Sequence, residues 1–169
     1  MSEKLYPIIL FDWGDTVMYD DGPDSTVPMV ESAEVRAVEG IADVLADLHA
    51  SGRKIILATG AMISDESQIR GALARVELDK YFSHIYCFKN TRLPKGEAFY
   101  RHILADLGVP VSDVVMVGDF FEKDVQIPNT LGIFAVWFNQ HSDENRNHEL
   151  HTTVHSMYDL RTFFRMFGK

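Results

Sequence analysis

The sequence has little cysteine, no excess of positive charge and no long apolar segment. Its single cysteine, Cys87, excludes an internal disulfide framework and favours a reducing, cytoplasmic setting. The formal net charge is -9, so the chain lacks the broad positive field that attracts nucleic acid or an anionic membrane surface. Its first residues are too polar for a secretion signal, and no apolar run approaches the length of a membrane span. We therefore expect neither a nucleic-acid partner nor a membrane partner.

What the chain does contain is a regular alternation of short apolar runs and amphipathic segments. Its 169 residues are 46% hydrophobic and 24% charged, a balance typical of one compact domain, here over residues 1–169. The apolar runs predict strands at 5–11, 53–59, 83–89, 114–119 and 132–139. Helical periodicity and helix-ending residues predict helices at 40–52, 65–76, 97–107, 123–131 and 157–167. This alternation predicts an α/β fold, a Rossmann-like three-layer sandwich with a central parallel sheet and helices on both faces.

Polar residues that can do chemistry stand where the predicted strands end. Asp12 follows the first strand, Thr59 and Gly60 lie at the end of the second, and Asp119 closes the fourth. Ligands of parallel α/β sheets bind outside the carboxyl ends of the strands. The sequence therefore predicts that these residues meet at one edge of the sheet, together with Asp124 from the segment that follows the fourth strand.

Carboxylates collected in this way favour a site for a hard cation and a phosphoryl group. Asp12, Asp119 and Asp124 would repel one another, and Mg2+ relieves such repulsion by accepting carboxylate oxygens in octahedral geometry. A carboxylate can also attack phosphorus and form an aspartyl-phosphate intermediate. Lys95, which precedes a predicted helix, is a compact positive charge suited to phosphoryl oxygens. These residue types favour metal-assisted phosphoryl transfer.

The same residues resemble the motifs of the haloacid dehalogenase-like (HAD) superfamily of aspartate-nucleophile hydrolases, and they occur in that family's order. The segment "FDWGDTV" carries Asp12 at the nucleophile position, and "ILATG" carries Thr59 at the end of its strand. Lys95 stands before a helix as the third motif, and "VMVGDFFEKDV" supplies Asp119 and Asp124 as the acidic fourth. Each motif alone is weak, but four motifs in order, over about residues 5–139, make the resemblance specific.

The resemblance implies a Mg2+-dependent phosphohydrolase that acts on a phosphate ester through an aspartyl-phosphate intermediate. It makes Asp12 the nucleophile and gives catalytic roles to Thr59 and Lys95 as well. It also implies two sets of binding residues. The metal ligands are Asp12, the Gly14 carbonyl, Asp119 and Asp124, and the phosphoryl-binding residues are Thr59, Gly60 and Lys95.

The first motif departs from the family at the position of the general acid. Phosphatases of this type usually carry a second aspartate two residues after the nucleophile, but here that position is Gly14, and Asp15 follows one place later. In one interpretation Asp15 is the acid. The others are an acid from elsewhere in the chain, a leaving group that needs little protonation, or very slow hydrolysis. A phosphate-binding regulatory protein and other HAD-type hydrolase chemistry therefore stay open as alternatives.

The segments between the motifs are too short for a sizeable cap, so the resemblance is to capless or minimally capped members of the family. Residues 17–39 are rich in turn-forming residues and are the candidate flap or minimal lid. Capless members leave the site open, and a homo-oligomer in which a neighbouring copy closes the site is an alternative to a lid.

Overall fold

The computed structural model describes residues 6–21 and 26–167, which build a sheet of six parallel strands with helices around it. The strands are β1 (Ile8–Phe11), β2 (Lys54–Ala58), β3 (Phe82–Tyr86), β4 (Val114–Gly118), β5 (Phe134–Phe138) and β6 (His151–Val154). The helices are α1 (Ile41–Ala50), α2 (Glu66–Arg75), α3 (Phe88–Thr91), α4 (Glu97–Leu107), α5 (Ile127–Thr130) and α6 (Met157–Met166). The strand order is β3-β2-β1-β4-β5-β6, and neighbouring strands are parallel. Of the helices in these two ranges, none has the length and apolarity needed to cross a membrane.

Alternate side chains of the central strands build a hydrophobic core on each face of the sheet. Ile9 and Phe11 of β1 belong to the core that α1, α2 and α6 cover, whereas Ile8 and Leu10 belong to the core that α4 covers. Successive side chains of a strand project to opposite faces, so a strand covered on both faces needs an apolar residue at every position. All of β1 is buried. The predicted three-layer α/β sandwich is confirmed.

The structure differs from the predicted strands at two stretches. β6 is absent from the predicted strands because its sequence, HTTV, is mostly polar and lies half-buried at the edge of the sheet. The third strand ends at Tyr86 instead of residue 89, because Asn90 Oδ1 accepts a hydrogen bond from the Cys87 N–H at 2.9 Å and caps the start of α3. The predicted start of the first strand, at residue 5, lies outside the described residues.

The segment between β1 and α1 returns alongside its own first residues. Met18 pairs with Ala37 in an antiparallel bridge, and the Tyr19 N–H donates a hydrogen bond to the Arg36 carbonyl at 2.9 Å. Residues 22–25 of the predicted 17–39 flap lie outside the described part of the chain. Closure of this segment over a substrate stays a prediction, as does the single-domain organisation.

Candidate active site

The topology of the sheet brings the predicted site residues together. β1 lies between β2 and β4, so the residues that follow these three strands meet at the carboxyl edge. Asp12 continues from β1, where its N–H donates to the Val117 carbonyl at 2.9 Å, and the Thr59 N–H at the end of β2 donates to the Tyr86 carbonyl at 3.0 Å. Asp119 follows β4 directly. These side chains line one cavity of about 510 Å³.

Three carboxylates form an acidic cluster in this cavity. One oxygen from each of Asp12, Asp119 and Asp124 lies within 4.8 Å of the other two. The Thr16 hydroxyl lies 3.4 Å from Asp12 Oδ2 and 3.2 Å from Asp119 Oδ1. Burial, helped by the neighbouring Asp12, raises the pKa of Asp119 to about 8, and burial raises the pKa of Asp124 to about 6 against the opposing effect of Lys95. Without a metal ion, Asp119 and Asp124 therefore hold their protons to higher pH than isolated aspartates do.

Lys95 provides the positive charge beside this cluster. Its Nζ lies 2.9 Å from Asp12 Oδ1 and 2.5 Å from Asp124 Oδ1, and its side chain is only 3% exposed. Burial alone would lower the pKa of Lys95, but the charges of Asp12 and Asp124 outweigh that effect and hold its pKa well above the usual range. Lys95 is therefore a permanently charged group beside the carboxylate of Asp12.

The donor set of the cluster fits a hard divalent cation. All three side chains offer carboxylate oxygens, which are the ligands that such cations take in proteins. The raised pKa values of Asp119 and Asp124 indicate that Lys95 alone does not neutralise the cluster. Asp12, Asp119 and Asp124 can therefore hold a divalent cation, and the Gly14 carbonyl remains a predicted further ligand.

Asp124 reaches the cluster because of three local features. It lies in a π-helical stretch, Phe121–Gln126, which begins before the predicted helix at 123–131 and continues into α5. Its Oδ2 accepts a hydrogen bond from the Phe120 N–H at 2.9 Å. A β-carbon added at Gly118 would overlap the Asp124 carboxylate. Glycine at position 118 therefore leaves the space that the Asp124 side chain occupies.

The predicted phosphoryl-binding residues line the same cavity. The Thr59 hydroxyl accepts a hydrogen bond from the Ala61 N–H at 3.0 Å, which leaves its own proton free to be donated. Gly60 is exposed and lies against Lys95, since a β-carbon added there would be 3.3 Å from Lys95 Cβ. Phe120 is 53% exposed and lines the cavity. Thr59, Gly60 and Lys95 thus border one space, and their roles in binding stay predictions.

The turn after Asp12 gives Asp15 and Gly14 very different surroundings. Asp15 has a left-handed backbone, with φ of 59°, and its Oδ1 accepts a hydrogen bond from the Asp20 N–H at 3.0 Å. The Asp20 carboxyl lies instead against Gly14, where an added β-carbon would be 3.2 Å from Asp20 Oδ2. Burial, followed by the charges of Asp15, Asp12 and Asp21, raises the pKa of Asp20. The catalytic role predicted for Asp15 stays untested by these contacts.

Three residues at or beside the site were absent from the sequence-based prediction. Thr16 lies in the first motif, four residues after Asp12, and its position in "FDWGDTV" is a signal that could have identified it. Asp20 carries no such signal, because its approach to Gly14 depends on how the chain turns between the two residues. Trp137 also supports the site from β5, since its Nε1 donates to the Asp119 carbonyl at 2.9 Å.

Comparison with known proteins agrees with this geometry. The family of haloacid dehalogenase-like hydrolases matches residues 14–132. The chain is also similar to pyrimidine 5'-nucleotidase PynA of Streptococcus pneumoniae (strain ATCC BAA-255 / R6), with 26% identity over 130 residues. That match covers 76% of this chain and 52% of the relative, so the chain spans about half of the relative's length.

Solved structures share the fold at low sequence identity. An uncharacterized protein from Listeria monocytogenes serotype 4b superposes with a TM-score of 0.80 at 22% identity, over 95% of this chain and 97% of that chain. YfnB from Bacillus subtilis superposes with a TM-score of 0.76 at 12% identity, over 95% of this chain and 99% of that chain. Because the family match, over residues 14–132, covers well over half of the chain, the chain belongs to the family of haloacid dehalogenase-like hydrolases.

Proposed function

We propose that the protein is a Mg2+-dependent phosphohydrolase that acts through an aspartyl-phosphate at Asp12 on a phosphorylated substrate in the cytoplasm. The observation that carries this proposal is the position of Lys95 Nζ, 2.9 Å from Asp12 and 2.5 Å from Asp124. A half-buried carboxylate beside a fixed positive charge suits attack on a phosphoryl group whose oxygens are negatively charged.

Asp12 performs the nucleophilic step in this proposal. A carboxylate oxygen of Asp12 attacks phosphorus as the bond to the leaving oxygen breaks, and water then hydrolyses the aspartyl-phosphate. The Lys95 ammonium, the Thr59 hydroxyl and the Gly60 N–H hold the phosphoryl oxygens during both steps.

The acidic cluster is the proposed metal site. Its ligands are Asp12, Asp119, Asp124 and the Gly14 carbonyl, and a Mg2+ ion held there would supply further positive charge to the phosphoryl oxygens. The crystal structure of YfnB is bound to magnesium, which supports this choice of ion. The Thr16 hydroxyl and the Trp137 indole N–H keep Asp12 and Asp119 in place.

Nucleoside monophosphates are the first substrates to test. The curated relative is a pyrimidine 5'-nucleotidase, and the cavity carries the aromatic side chains of Tyr19 and Phe120 in its lining. Aromatic rings stack against flat organic groups such as nucleobases. A wider set of sugar, alkyl and aryl phosphates tests substrates without a base.

The test is turnover of this set with and without Mg2+, by the wild type and by Asp12→Asn. We expect Mg2+-dependent phosphate release by the wild type, none by Asp12→Asn, and a phosphorylated Asp12 in acid-quenched wild-type samples. Asp43→Asn, on the exposed surface of α1, is the matched control. Unchanged turnover by Asp12→Asn would exclude Asp12 as the nucleophile.

The absence of an acid at Gly14 favours a second candidate, a phosphate-binding regulatory protein with the same fold and metal site. Beryllium fluoride, which mimics a phosphoryl group on an aspartate, separates the two candidates. Binding of beryllium fluoride together with turnover supports the phosphohydrolase. Binding without turnover of any phosphate ester supports the regulatory protein.

A further inference from the structure

We propose that the Asp20 carboxyl is the general acid and base of this site, in place of a side chain at position 14. The inference rests on the proposed phosphohydrolase function. Hydrolysis of an alkyl phosphate needs a proton donor for its leaving oxygen and a base for the attacking water. Asp12 cannot serve, because it is bonded to phosphorus between the two steps. A second carboxyl is therefore needed beside Asp12.

Most of the other acidic side chains around the cavity belong to the acidic cluster or already have a hydrogen-bond or ion-pair partner. Glu34 is the exception. Asp119 and Asp124 belong to the acidic cluster, and the Asp15 carboxylate accepts the Asp20 N–H. Asp21 forms an ion pair with Arg36. The carboxyls of Asp20 and Glu34 also line the cavity, and no described residue donates a hydrogen bond to either.

The contact between Asp20 and Gly14 distinguishes Asp20 from Glu34. A β-carbon added at Gly14 would lie 3.2 Å from Asp20 Oδ2 and 3.3 Å from Asp20 Cβ. The Asp20 carboxyl thus occupies the space into which a side chain at position 14 would project, two residues from Asp12. It is also exposed, so it can exchange protons with solvent. Glu34 lies in the returning part of the 17–39 segment, and the three atoms nearest to a β-carbon added at Gly14 all belong to Asp20.

The chemical steps balance with Asp20 in this role. As Asp12 attacks phosphorus, the bond to the leaving oxygen breaks, and that oxygen takes its electron pair and the Asp20 proton to become an alcohol. The Asp20 carboxylate then removes a proton from water while the water oxygen attacks phosphorus. The bond between Asp12 and phosphorus breaks, which releases inorganic phosphate, an Asp12 carboxylate and a protonated Asp20.

Dependence on the leaving group tests the first step. With Mg2+ present, we expect Asp20→Asn to lower turnover of an alkyl phosphate by roughly a hundred- to ten-thousand-fold. Formation of the phosphoenzyme from an aryl phosphate with an acidic phenol should change far less, because that leaving oxygen needs no proton. Equal losses for both substrates would overturn the proposal. It would also be overturned if Glu34→Gln, and not Asp20→Asn, lost turnover of the alkyl phosphate but not of the aryl phosphate.

Accumulation of the intermediate tests the second step. With the aryl phosphate, Asp20→Asn should release about one equivalent of phenol per enzyme in a burst and then turn over slowly, with Asp12 phosphorylated in quenched samples. Calorimetric titration should show wild-type affinity for Mg2+, which separates loss of the acid from loss of the metal. Steady turnover without a burst would contradict a role in the water step.

An exchange of the two side chains provides a rescue experiment. Gly14 does not have a positive φ, so an aspartate there is not strained by its backbone, and removal of the Asp20 side chain clears the contact. The variant Gly14→Asp/Asp20→Gly should recover alkyl-phosphate turnover relative to Asp20→Gly alone. No recovery in a folded double variant that still binds Mg2+ would overturn the proposal that a carboxyl in this space is what the reaction needs.

The two levels of inference fail in different ways. If the wild type turns over no phosphate ester, the phosphohydrolase proposal is wrong and the role of Asp20 is wrong with it. If the wild type is active and Asp12→Asn is not, but Asp20→Asn behaves as the wild type on alkyl phosphates, only the assignment of Asp20 is wrong.

Discussion

Lys95 and Asp12 form an ion pair whose charged atoms, Nζ and Oδ1, lie 2.9 Å apart. The lysine comes from the loop before α4 and the aspartate from the end of β1. The Lys95 side chain is 3% exposed and the Asp12 side chain 13% exposed. The pair holds the proposed nucleophile and a positive charge in a fixed relation, which would suit a phosphoryl group placed against both.

Removal of this charge should affect both stability and activity. Lys95→Met leaves Asp12 and Asp124 without their counter-charge, so we expect the metal-free protein to lose about 3–5 kcal/mol of unfolding free energy. Added Mg2+ should return part of that loss, while turnover stays at least a hundredfold below wild type. Urea unfolding with and without Mg2+ measures the first effect. Lys89→Met, at an exposed lysine of α3, is the control, and equal stability of the two variants would contradict the expectation.

A methyl group at Gly118 should displace Asp124. We expect Gly118→Ala to weaken Mg2+ binding by at least tenfold and to lower stability, because the added carbon overlaps the Asp124 carboxylate. The double variant Gly118→Ala/Asp124→Gly removes the overlap and should be about as stable as Asp124→Gly alone. If the stability losses of Gly118→Ala and Asp124→Gly simply add in the double variant, overlap with the Asp124 carboxylate is not the cause of the loss in Gly118→Ala.

Metal binding should strengthen with pH. In the metal-free protein the pKa of Asp124 is raised to about 6 and that of Asp119 to about 8, so protons compete with the cation below these values. Both carboxyls bind protons more tightly in the folded than in the unfolded chain. Their contribution to metal-free stability is therefore present in acid and is lost as pH rises through these values.

The stabilisation by Mg2+ should consequently be larger at about pH 9 than at about pH 5, because these two conditions lie on either side of the raised pKa values, about 6 for Asp124 and about 8 for Asp119. Thermal unfolding of the same protein with and without Mg2+ at each pH measures it. In Asp119→Asn, the increase in Mg2+ stabilisation around pH 8 should disappear, because that is where Asp119 titrates. A stabilisation that does not change with pH in the wild type would contradict the raised pKa values.

Asp47 of α1 and Arg161 of α6 form an ion pair outside the cavity. Its contribution to stability should change with pH in the direction opposite to that of Asp119 and Asp124. Arg161 Nε and Nη2 lie 2.5 Å and 3.0 Å from the two oxygens of Asp47, and these hydrogen bonds lower the pKa of Asp47. Its stabilising contribution is therefore present at neutral pH and is lost as pH falls through the ordinary aspartate range, about 4 and below.

Asp47→Asn should therefore lower the urea midpoint modestly at neutral pH, and the difference from wild type should vanish in acid. The neighbouring Asp43→Asn, also on α1 but without a hydrogen-bond partner among the described residues, removes only a weaker charge interaction with Arg161 and should show a clearly smaller change. High salt should reduce the effect because both partners are partly exposed. A difference that persists in acid would assign the effect to packing.

Much of the fold followed from local patterns in the chain. β1 and β4 have no polar side chain, and β2 has only Lys54 at its exposed first position, which marks strands buried on both faces. β6 was not predicted, because at a sheet edge a strand needs no apolar pattern and HTTV shows none. The end of β3 was misplaced for a different reason, since the cap that Asn90 forms depends on a side-chain hydrogen bond.

Sequence by itself determined which residues meet at the carboxyl edge. Parallel strands bring their ends to one side of a sheet, so the order of the motifs was enough to predict that Asp12, Thr59 and Asp119 lie together. Lys95 and Asp124 were predicted to join them from the loop and helix that follow. None of this required knowledge of how the turns fold.

Only the tertiary structure decided how the turn after Asp12 arranges its acids. The left-handed backbone of Asp15 aims its carboxylate at the Asp20 N–H, while Asp20 folds back over Gly14. These directions depend on contacts with distant segments, among them Gln140 Nε2 at 3.4 Å from the Asp15 carbonyl. Adjacent side chains point in quite different directions in a tight turn, so the spacing of acids in "FDWGDTV" could not reveal which carboxyl fills the space at Gly14.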